Sequence, residues 1–322
     1  MRKVILAMVL ALTLGGGPVA PNTMEKVVVS QATQNLNFLP LYIAKDRGYF
    51  EKRGLDVTIV TAGSGANAVS AVISGSSMFS LQDPMTAVLA ALKGVAIKNV
   101  ASVVSAPPTW IVVPKSSSIK TIEDLNGKTI ATANPPSANT YLLEALLAKH
   151  KVAAKLTRVL LGTEFAPMLA GQADAAVMEE PSMEDALAQK YRILYKFSAM
   201  YARGQGGYCW TGVDAMEDSI AKRSVVGRFV DAIGDALVTI AKDPAAATEV
   251  AAREFPSFSP DKLRVAIGRY KQEGLFPMSP LLTQTQFANA VDMQVKAGNL
   301  KPAEAKYAAT VDASFAQHPS RR

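Results

Sequence analysis

Cysteine and histidine are scarce in this chain of 322 residues, which has one cysteine, Cys209, and two histidines, His150 and His318. A disulfide framework needs paired cysteines, and a closed zinc site needs about four Cys or His ligands. The sequence also lacks the GxxxxGK[ST] spacing of a phosphate-binding loop, and no GxGxxG pattern continues from Gly63. These absences exclude most thiol and metal chemistry and leave nucleotide binding with little support.

Basic residues outnumber acidic ones by 34 to 27, but they form no continuous basic run and do not alternate with aromatic residues. We therefore expect no nucleic-acid partner. Hydrophobic residues make up 49% of the chain and charged residues 19%, a balance that excludes a disordered protein. The length suits two domains of roughly 100 to 150 residues each.

The N-terminus has the organisation of a secretory signal. Arg2 and Lys3 precede the apolar residues 4–14, which are followed by glycine and small residues up to Ala20. A membrane-spanning helix needs about 20 apolar residues, so this run is too short to anchor the chain. We predict that residues 1–23 are a cleaved signal peptide; the alternative is that translation starts at Met24. Residues 15–23, directly after the apolar run, contain no cysteine to carry a lipid. We therefore expect a soluble periplasmic protein without a lipid anchor.

Strand-like and helix-like segments alternate along the rest of the chain. Residues 27–32 and 55–61 are short β-branched runs, and a helical pattern between them ends at Gly48. The same alternation resumes after Thr121, and residues 220–242 have the apolar spacing of a long packed helix. This pattern predicts an α/β protein with mainly parallel sheets, in which ligands bind at the carboxyl ends of the strands.

A weak internal repeat indicates that the two halves are similar. Gly75 precedes Pro84 by nine residues, and Gly171 precedes Pro181 by ten. In both places a predicted helix ends at glycine, a strand follows, and an acidic residue and a proline come directly after it. We therefore expect the two halves to place equivalent loops around one cleft.

Three loops carry the candidate binding residues, each with a simpler structural explanation. Residues 62–67 are glycine-rich and residues 135–140 carry small polar side chains, and both stand where they could merely cap a helix. The third loop contains Glu179 and Glu180. Because consecutive residues of a strand point to opposite faces, we do not expect these two to act as a carboxylate pair, and we expect one of them to face the cleft.

Four stretches of the sequence resemble the SsuA/THI5-like, or NMT1-like, group of solute-binding proteins of ABC importers. The most specific stretch, residues 40–57, reads PLYIAKDRGYFEKRGLDV, and the others are AGSG at 62–65, DLNGK at 124–128 and GQADAAVMEEP at 171–181. The group binds aliphatic sulfonates, taurine, nitrate and thiamine precursors. The resemblance implies the type II periplasmic-binding-protein fold, with two α/β lobes of mixed, mainly parallel sheets joined by two crossing strands.

The resemblance also implies where the lobes and the site lie. Lobe 1 is expected at residues 24–105 plus 212–322 and lobe 2 at residues 106–211, with the crossings near 102–107 and 208–213. The expected protein is a monomer without a cofactor or catalytic residues, which delivers a small solute to an ABC permease in the inner membrane. By position in the family, the ligand-binding residues are Gln34, Asn37, Phe38, Ser64, Gly65, Asp83, Ser137, Asn139, Thr140 and Glu180. Trp210 is a further candidate, because an aromatic ring can stack on a planar ligand.

Two alternatives stay open at this point. The group includes a fungal pyrimidine synthase that uses a cysteine-rich motif, and a cytosolic enzyme or sensor starting at Met24 would be its counterpart here; the single cysteine speaks against it. The ligand is also undecided. A sulfonate would favour N–H groups and a basic residue, which the candidate loops lack, whereas their acidic residues suit a pyrimidine or another ligand with amino or ring N–H groups.

Overall fold

The computed structural model describes residues 24–135, 137–201 and 206–317. The expected signal peptide at residues 1–23 lies outside the described residues. The strands are β1 (Glu25–Gln31), β2 (Leu55–Thr61), β3 (Phe79–Gln82), β4 (Ile97–Val104), β5 (Thr109–Pro114), β6 (Thr129–Ala133), β7 (Lys155–Val159), β8 (Ala175–Glu179), β9 (Tyr191–Lys196) and β10 (Thr211–Met216).

The helices surround these strands and dominate the last third of the chain. They are α1 (Leu39–Asp46), α2 (Gly65–Ile73), α3 (Pro84–Leu92), α4 (Ala138–Lys149), α5 (Phe165–Leu169), α6 (Ser182–Ala188), α7 (Glu217–Ala221), α8 (Arg223–Lys242), α9 (Pro244–Glu254), α10 (Pro260–Glu273), α11 (Gln284–Lys296), α12 (Tyr307–Thr310) and α13 (Ser314–Gln317). Within the described ranges, no helix combines the length and the apolar character that crossing a membrane requires.

Two five-stranded sheets form from the described strands, and they have the same internal arrangement. The first has the order β2-β1-β3-β10-β4 and the second the order β7-β6-β8-β5-β9. In each sheet the first three strands are parallel, and the fourth is antiparallel to both of its neighbours. The predicted α/β class with mixed, mainly parallel sheets is therefore confirmed.

The internal repeat corresponds to equivalent positions in the two sheets. Gly75 follows α2 and precedes β3, while Gly171 follows α5 and precedes β8, the third strand of the other sheet. Their φ angles are 76° and 69°, in the left-handed region that glycine adopts without a steric penalty. Each glycine thus ends a helix and turns the chain into the strand that carries an acidic residue at its carboxyl end.

The chain passes between the sheets in two segments that lie side by side. Residues 105–108 connect β4 with β5, and the chain returns through residues 206–210 to β10. The N–H of Tyr208 donates to the carbonyl of Ser105 at 2.8 Å, and the N–H of Trp210 donates to the carbonyl of Val104 at 2.9 Å. These paired crossings agree with the predicted connection, whereas the lobe limits stay a prediction.

Helices from the C-terminal third contact both sheets. The helix expected at residues 220–242 is divided at Lys222 into α7 and α8, and Phe229 of α8 stacks on Phe79 of β3 with 4.2 Å between ring centroids. Helix α10 packs on α9 but also reaches the second half, where Lys262 forms an ion pair with Asp185 of α6 and Glu273 forms one with Lys196 of β9. The fold therefore has direct contacts between its two halves at the site described next.

Candidate functional site: a carboxylate between the two sheets

The carboxyl ends of the parallel strands in the two sheets come together at Glu179. This residue is the last of β8, and the loop that follows β1 and the first turn of α4, which follows β6, both reach its carboxylate. In parallel sheets the carboxyl ends are where ligands bind, because loops from neighbouring strands converge there. The geometry of this edge defines the candidate site.

Three asparagine side chains donate hydrogen bonds to the Glu179 carboxylate. The Nδ2 atoms of Asn35 and Asn37 lie 2.7 Å and 2.9 Å from its Oε2, and the Nδ2 of Asn139 lies 2.9 Å from its Oε1. Asn35 and Asn37 follow β1 of the first sheet, whereas Asn139 lies in α4 beside the second sheet. One carboxylate therefore joins the two halves, and its side chain remains only half-buried.

The asparagines are held in place by other contacts. Asn37, 4% exposed, accepts a hydrogen bond at its Oδ1 from the Tyr270 hydroxyl at 2.8 Å, and its N–H donates to the Oδ1 of Asn35 at 3.0 Å. Asn139 is 2% exposed, yet its Oδ1 has no hydrogen-bond partner among the described residues. A buried amide oxygen without a donor is unfavourable, so this atom is suited to accept a hydrogen bond from a ligand.

Two further carboxyl groups lie at the same edges of the sheets. Glu164 follows β7, and burial, together with the charge of Glu179, raises its pKa to about 7, even though its carboxylate accepts from the N–H of Gly162. Asp83 follows β3, and burial raises its pKa to about 6. Burial also raises the pKa of Glu179, against the effect of its three amide donors.

These carboxyl groups lack basic partners. Among residues 24–135, 137–201 and 206–317, no Lys or Arg forms an ion pair with Glu179, Glu164 or Asp83. The same part of the chain contains no group of three or more His, Cys, Asp and Glu side chains positioned to hold a metal ion. The edge can therefore offer acceptors to N–H donors or to a positive charge.

The first sheet contributes a tightly packed wall at its own carboxyl edge. Ideal Cβ geometry at Gly65 would place that atom 3.1 Å from the Oε1 of Gln82, so glycine permits the close approach. Gln82 is oriented by the buried Asp214, whose Oδ2 accepts from its Nε2 at 2.5 Å. Asp83 caps α3 by accepting from the N–H of Met85 at 2.9 Å.

Glu180, the neighbour of Glu179, points elsewhere. Its carboxylate is fully buried and forms an ion pair with Arg269 of α10, which also pairs with Glu184. Burial raises the pKa of Glu180 in spite of the guanidinium. Of the two consecutive glutamates, the structure therefore brings Glu179 to the asparagine cluster, and the binding role that we predicted for Glu180 stays a prediction.

Most of the remaining predicted residues cap a helix, donate hydrogen bonds to the backbone or are buried. Ser64 caps α2, Thr140 donates to the carbonyl of Ala133 at 2.6 Å, and Gln34 donates to the carbonyl of Glu254 at 2.8 Å. Ser137 precedes α4 without a capping hydrogen bond from its side chain. Phe38 and Trp210 are buried, the latter with its ring 6.1 Å from that of Tyr208.

Three residues of the site were not singled out in the sequence. Asn35 lies two positions before the predicted Asn37, and the polar run after β1 is the signal that could have found it. Glu164 and Tyr270 have no such signal, because Tyr270 meets Asn37 across 233 positions of the chain. Cys209, the single cysteine of the sequence, is buried, and burial raises the pKa of its thiol.

Comparison with known proteins places the chain in a family. The family described as "NMT1/THI5 like" matches residues 35–247, about two thirds of the chain, including both sheets' central strands and the Glu179 cluster. The chain belongs to the NMT1/THI5-like family. The resemblance inferred from the sequence is thereby confirmed.

Proteins with similar sequences include both a binding protein and an enzyme. YtlA of Bacillus subtilis (strain 168), provisionally described as a binding protein, is 24% identical over 290 residues, which cover 86% of this chain and 85% of YtlA. The 4-amino-5-hydroxymethyl-2-methylpyrimidine phosphate synthase of Schizosaccharomyces pombe (strain 972 / ATCC 24843) is 22% identical over 218 residues, covering 64% of this chain and 62% of the synthase.

Solved structures show the same fold. The alkanesulfonate-binding protein SsuA from Xanthomonas axonopodis pv. citri, solved with MOPS bound, has a TM-score of 0.70 at 21% identity, and the match covers 90% of this chain and 98% of SsuA. At this identity the likeness concerns the fold, and it confirms the two-lobed binding-protein architecture of this NMT1/THI5-like chain.

Proposed function

We propose that this protein is the solute-binding protein of an ABC importer and captures a small organic solute between its two sheets. Family membership, the binding-protein fold and the description of YtlA support this proposal. The observation that carries it is the Glu179 carboxylate, which is held by amides from both halves at the carboxyl edges of the sheets. A polar group in this position can contact a ligand enclosed between the lobes.

Capture would occur by hinge closure. The hydrogen bonds from Asn35 and Asn37 to Glu179 can form only when the two halves approach each other. A ligand that contacts both halves favours the closed state by its differential affinity for that state. The lobes are taken as residues 24–105 plus 212–322 and residues 106–211, with the two crossings near residues 105–108 and 206–210 as the hinge.

The solute that fits this edge carries amino or ring N–H groups, as a thiamine-precursor pyrimidine does. Glu179, Glu164 and Asp83 have no cationic partner among the described residues, and the unpaired oxygen of Asn139 is a further acceptor. A sulfonate-type or taurine-like anion would bring its negative charge next to these carboxylates, at an electrostatic cost. We therefore favour the N–H donor over the sulfonate.

The remaining parts of the proposal follow from this role. The protein would be exported by its N-terminal signal, would act as a soluble monomer in the periplasm, and would present its solute to a permease in the inner membrane. An enzymatic role like that of the fission-yeast synthase would need a cysteine-rich motif, and this chain has one buried cysteine. Ligand capture without chemistry accounts for the cluster better.

The test is calorimetric titration of ligand-stripped protein with aminopyrimidines, alkanesulfonates and taurine. The Glu179→Gln variant should bind an aminopyrimidine ~10- to 100-fold more weakly, since a hydrogen bond to a charged acceptor contributes about 1.5–3 kcal/mol. Glu144→Gln is the matched control, because Glu144 is exposed to solvent and pairs with Arg158 on the surface. It should bind like the wild type.

Different failures identify different errors. Sulfonate binding that is unaffected by Glu179→Gln would contradict the choice of an N–H donor and leave solute capture standing. No binding of any solute, together with no ligand co-purifying from the native host, would contradict the transport role itself.

A further inference from the structure

The edge of the second sheet opposite the Glu179 site is basic. Lys155 begins β7, Lys128 and Lys190 precede β6 and β9, and Lys115 follows the antiparallel β5. Four of the five strands in this sheet therefore reach this edge beside a lysine, and the fifth, β8, is preceded by Asp174. Sequence spacing conceals the cluster, because the lysines come together only through the strand order.

Backbone contacts hold these lysines in neighbouring positions. The N–H of Lys155 donates to the carbonyl of Lys128 at 2.8 Å, and the N–H of Lys115 donates to the carbonyl of Lys190 at 2.8 Å. Helix α4 ends at the same edge. We call the complete set the basic edge; it consists of Lys115, Lys120, Lys128, Lys149, Lys151, Lys155 and Lys190.

The charges of the basic edge are available to a partner. Lys128 is half-buried and the other six lysines are exposed. In the part of the chain that the structure describes, none of the seven forms an ion pair with a carboxylate. Clustered like charges produce a potential that attracts an oppositely charged surface over roughly one Debye length.

The carboxylates near the basic edge are already engaged. Glu123 contacts the Nδ1 of His150 at 2.7 Å, and this hydrogen bond lowers the pKa of Glu123. Asp124 accepts from the N–H of Lys120 at 2.7 Å, and Asp174 accepts from the N–H of Thr129 at 2.9 Å. These three carboxylates oppose seven lysines, so the edge keeps an excess of positive charge.

We propose that the basic edge binds the surface of an anionic phospholipid bilayer. Apart from Arg192, which is half-buried and donates to the carbonyl of Ile119, the cations of this edge are lysines. Lysines act as hydrated point charges and suit a surface of many mobile phosphates. Leu169, at the end of α5 and 57% exposed, is a single apolar side chain that can enter the interface. Protein hot spots instead use aromatic anchors, and no aromatic residue is among the large exposed apolar side chains of the described residues.

Such binding would be independent of the solute site. The basic edge lies at the opposite ends of the strands from Glu179, so a bilayer contact there leaves the gap between the two sheets accessible. The protein could then concentrate at a membrane by electrostatics, in addition to any contact with a permease.

Sedimentation with lipid vesicles tests the proposal on the protein from residue 24 to 322. Wild-type protein should sediment with vesicles of phosphatidylcholine containing one third phosphatidylglycerol, but not with pure phosphatidylcholine, and should be released by high salt. Replacing Lys115, Lys149, Lys155 and Lys190 together by Gln should weaken vesicle binding at least about tenfold.

A matched control separates the effect of the basic edge from the effect of the protein's net charge. The variant with Gln in place of Lys26, Lys93, Lys301 and Lys306 loses the same charge from exposed lysines elsewhere; it should bind anionic vesicles like the wild type. Equal weakening of vesicle binding in both variants would overturn the proposal. So would a wild-type protein that does not bind anionic vesicles, even if it binds a DNA duplex or an acidic protein.

Discussion

Glu179 and Glu180 are consecutive residues with opposite environments. Glu179 is half-buried, accepts hydrogen bonds from three asparagines and has no cationic partner among the described residues, whereas Glu180 is fully buried against Arg269. Strand geometry separates them, because β8 ends here and neighbouring side chains point to opposite sides. A carboxylate paired with a buried guanidinium stabilises the contact between α10 and the second sheet, and one held by amides can exchange its donors for those of a ligand.

The largest effect is expected from removing the cation beside Glu180. Arg269→Met leaves Glu180 and Glu184 as buried carboxylates without their partner, which should lower the free energy of unfolding by about 3–5 kcal/mol. Lys262→Met is the control on the same helix, since its ion pair with Asp185 is partly exposed and should contribute at most about 1 kcal/mol. Urea denaturation measures both, and similar losses would contradict the assigned burial of Arg269.

A pH-dependent effect is expected at Glu164, next to Glu179. Its pKa rises from 4.5 to about 7 on folding, so the folded state binds the proton more tightly. This proton binding adds at most about 3 kcal/mol to the free energy of unfolding. The contribution is fully present below about pH 4.5 and is lost as the pH rises through about 7. The free energy of unfolding of Glu164→Gln, relative to that of the wild type, should therefore be higher at pH 8 than at pH 4.5.

Thermal unfolding across this pH range measures the difference. The melting temperature of the wild type should fall more steeply with pH than that of Glu164→Gln, while Glu144→Gln should follow the wild type. Parallel curves for the wild type and Glu164→Gln would show that Glu164 is not buried next to the charge of Glu179.

A smaller effect is expected at the carboxyl edge of the first sheet. Gly65→Ala places a methyl group 3.1 Å from the Oε1 of Gln82 and should destabilise the protein by about 1 kcal/mol as Gln82 shifts away from Asp214. Gly268→Ala, in α10 with open space around it, should stabilise by up to about 1 kcal/mol. Denaturation midpoints that move in the same direction would contradict the close packing at Gly65.

The fold was predictable because it depends on local patterns. Alternating β-branched and helical segments predicted the parallel strands, and Gly75 and Gly171 predicted equivalent turns in the two halves, with the acidic residues at the strand ends. The alternation of side chains along a strand also led us to expect that one of Glu179 and Glu180 faces the cleft.

The choice between these glutamates was not predictable from the sequence. It depends on Arg269, 89 positions after Glu180, and on Tyr270, which orients Asn37 from 233 positions away. These residues belong to α10, whose apolar spacing specifies a packed helix but not which half of the molecule it contacts. Burial against a distant helix therefore decides which carboxylate is left for the site.

The most direct test of the account is the distance between the two halves in the ligand-free protein, measured by electron paramagnetic resonance between spin labels at positions 93 and 190. Because Glu179 joins Asn35 and Asn37 to Asn139, the wild type should populate a short distance, and Glu179→Ala should shift the population to a longer one. Glu144→Ala should leave the distribution unchanged. Identical distributions for the wild type and Glu179→Ala would contradict the claim that this carboxylate holds the two halves together.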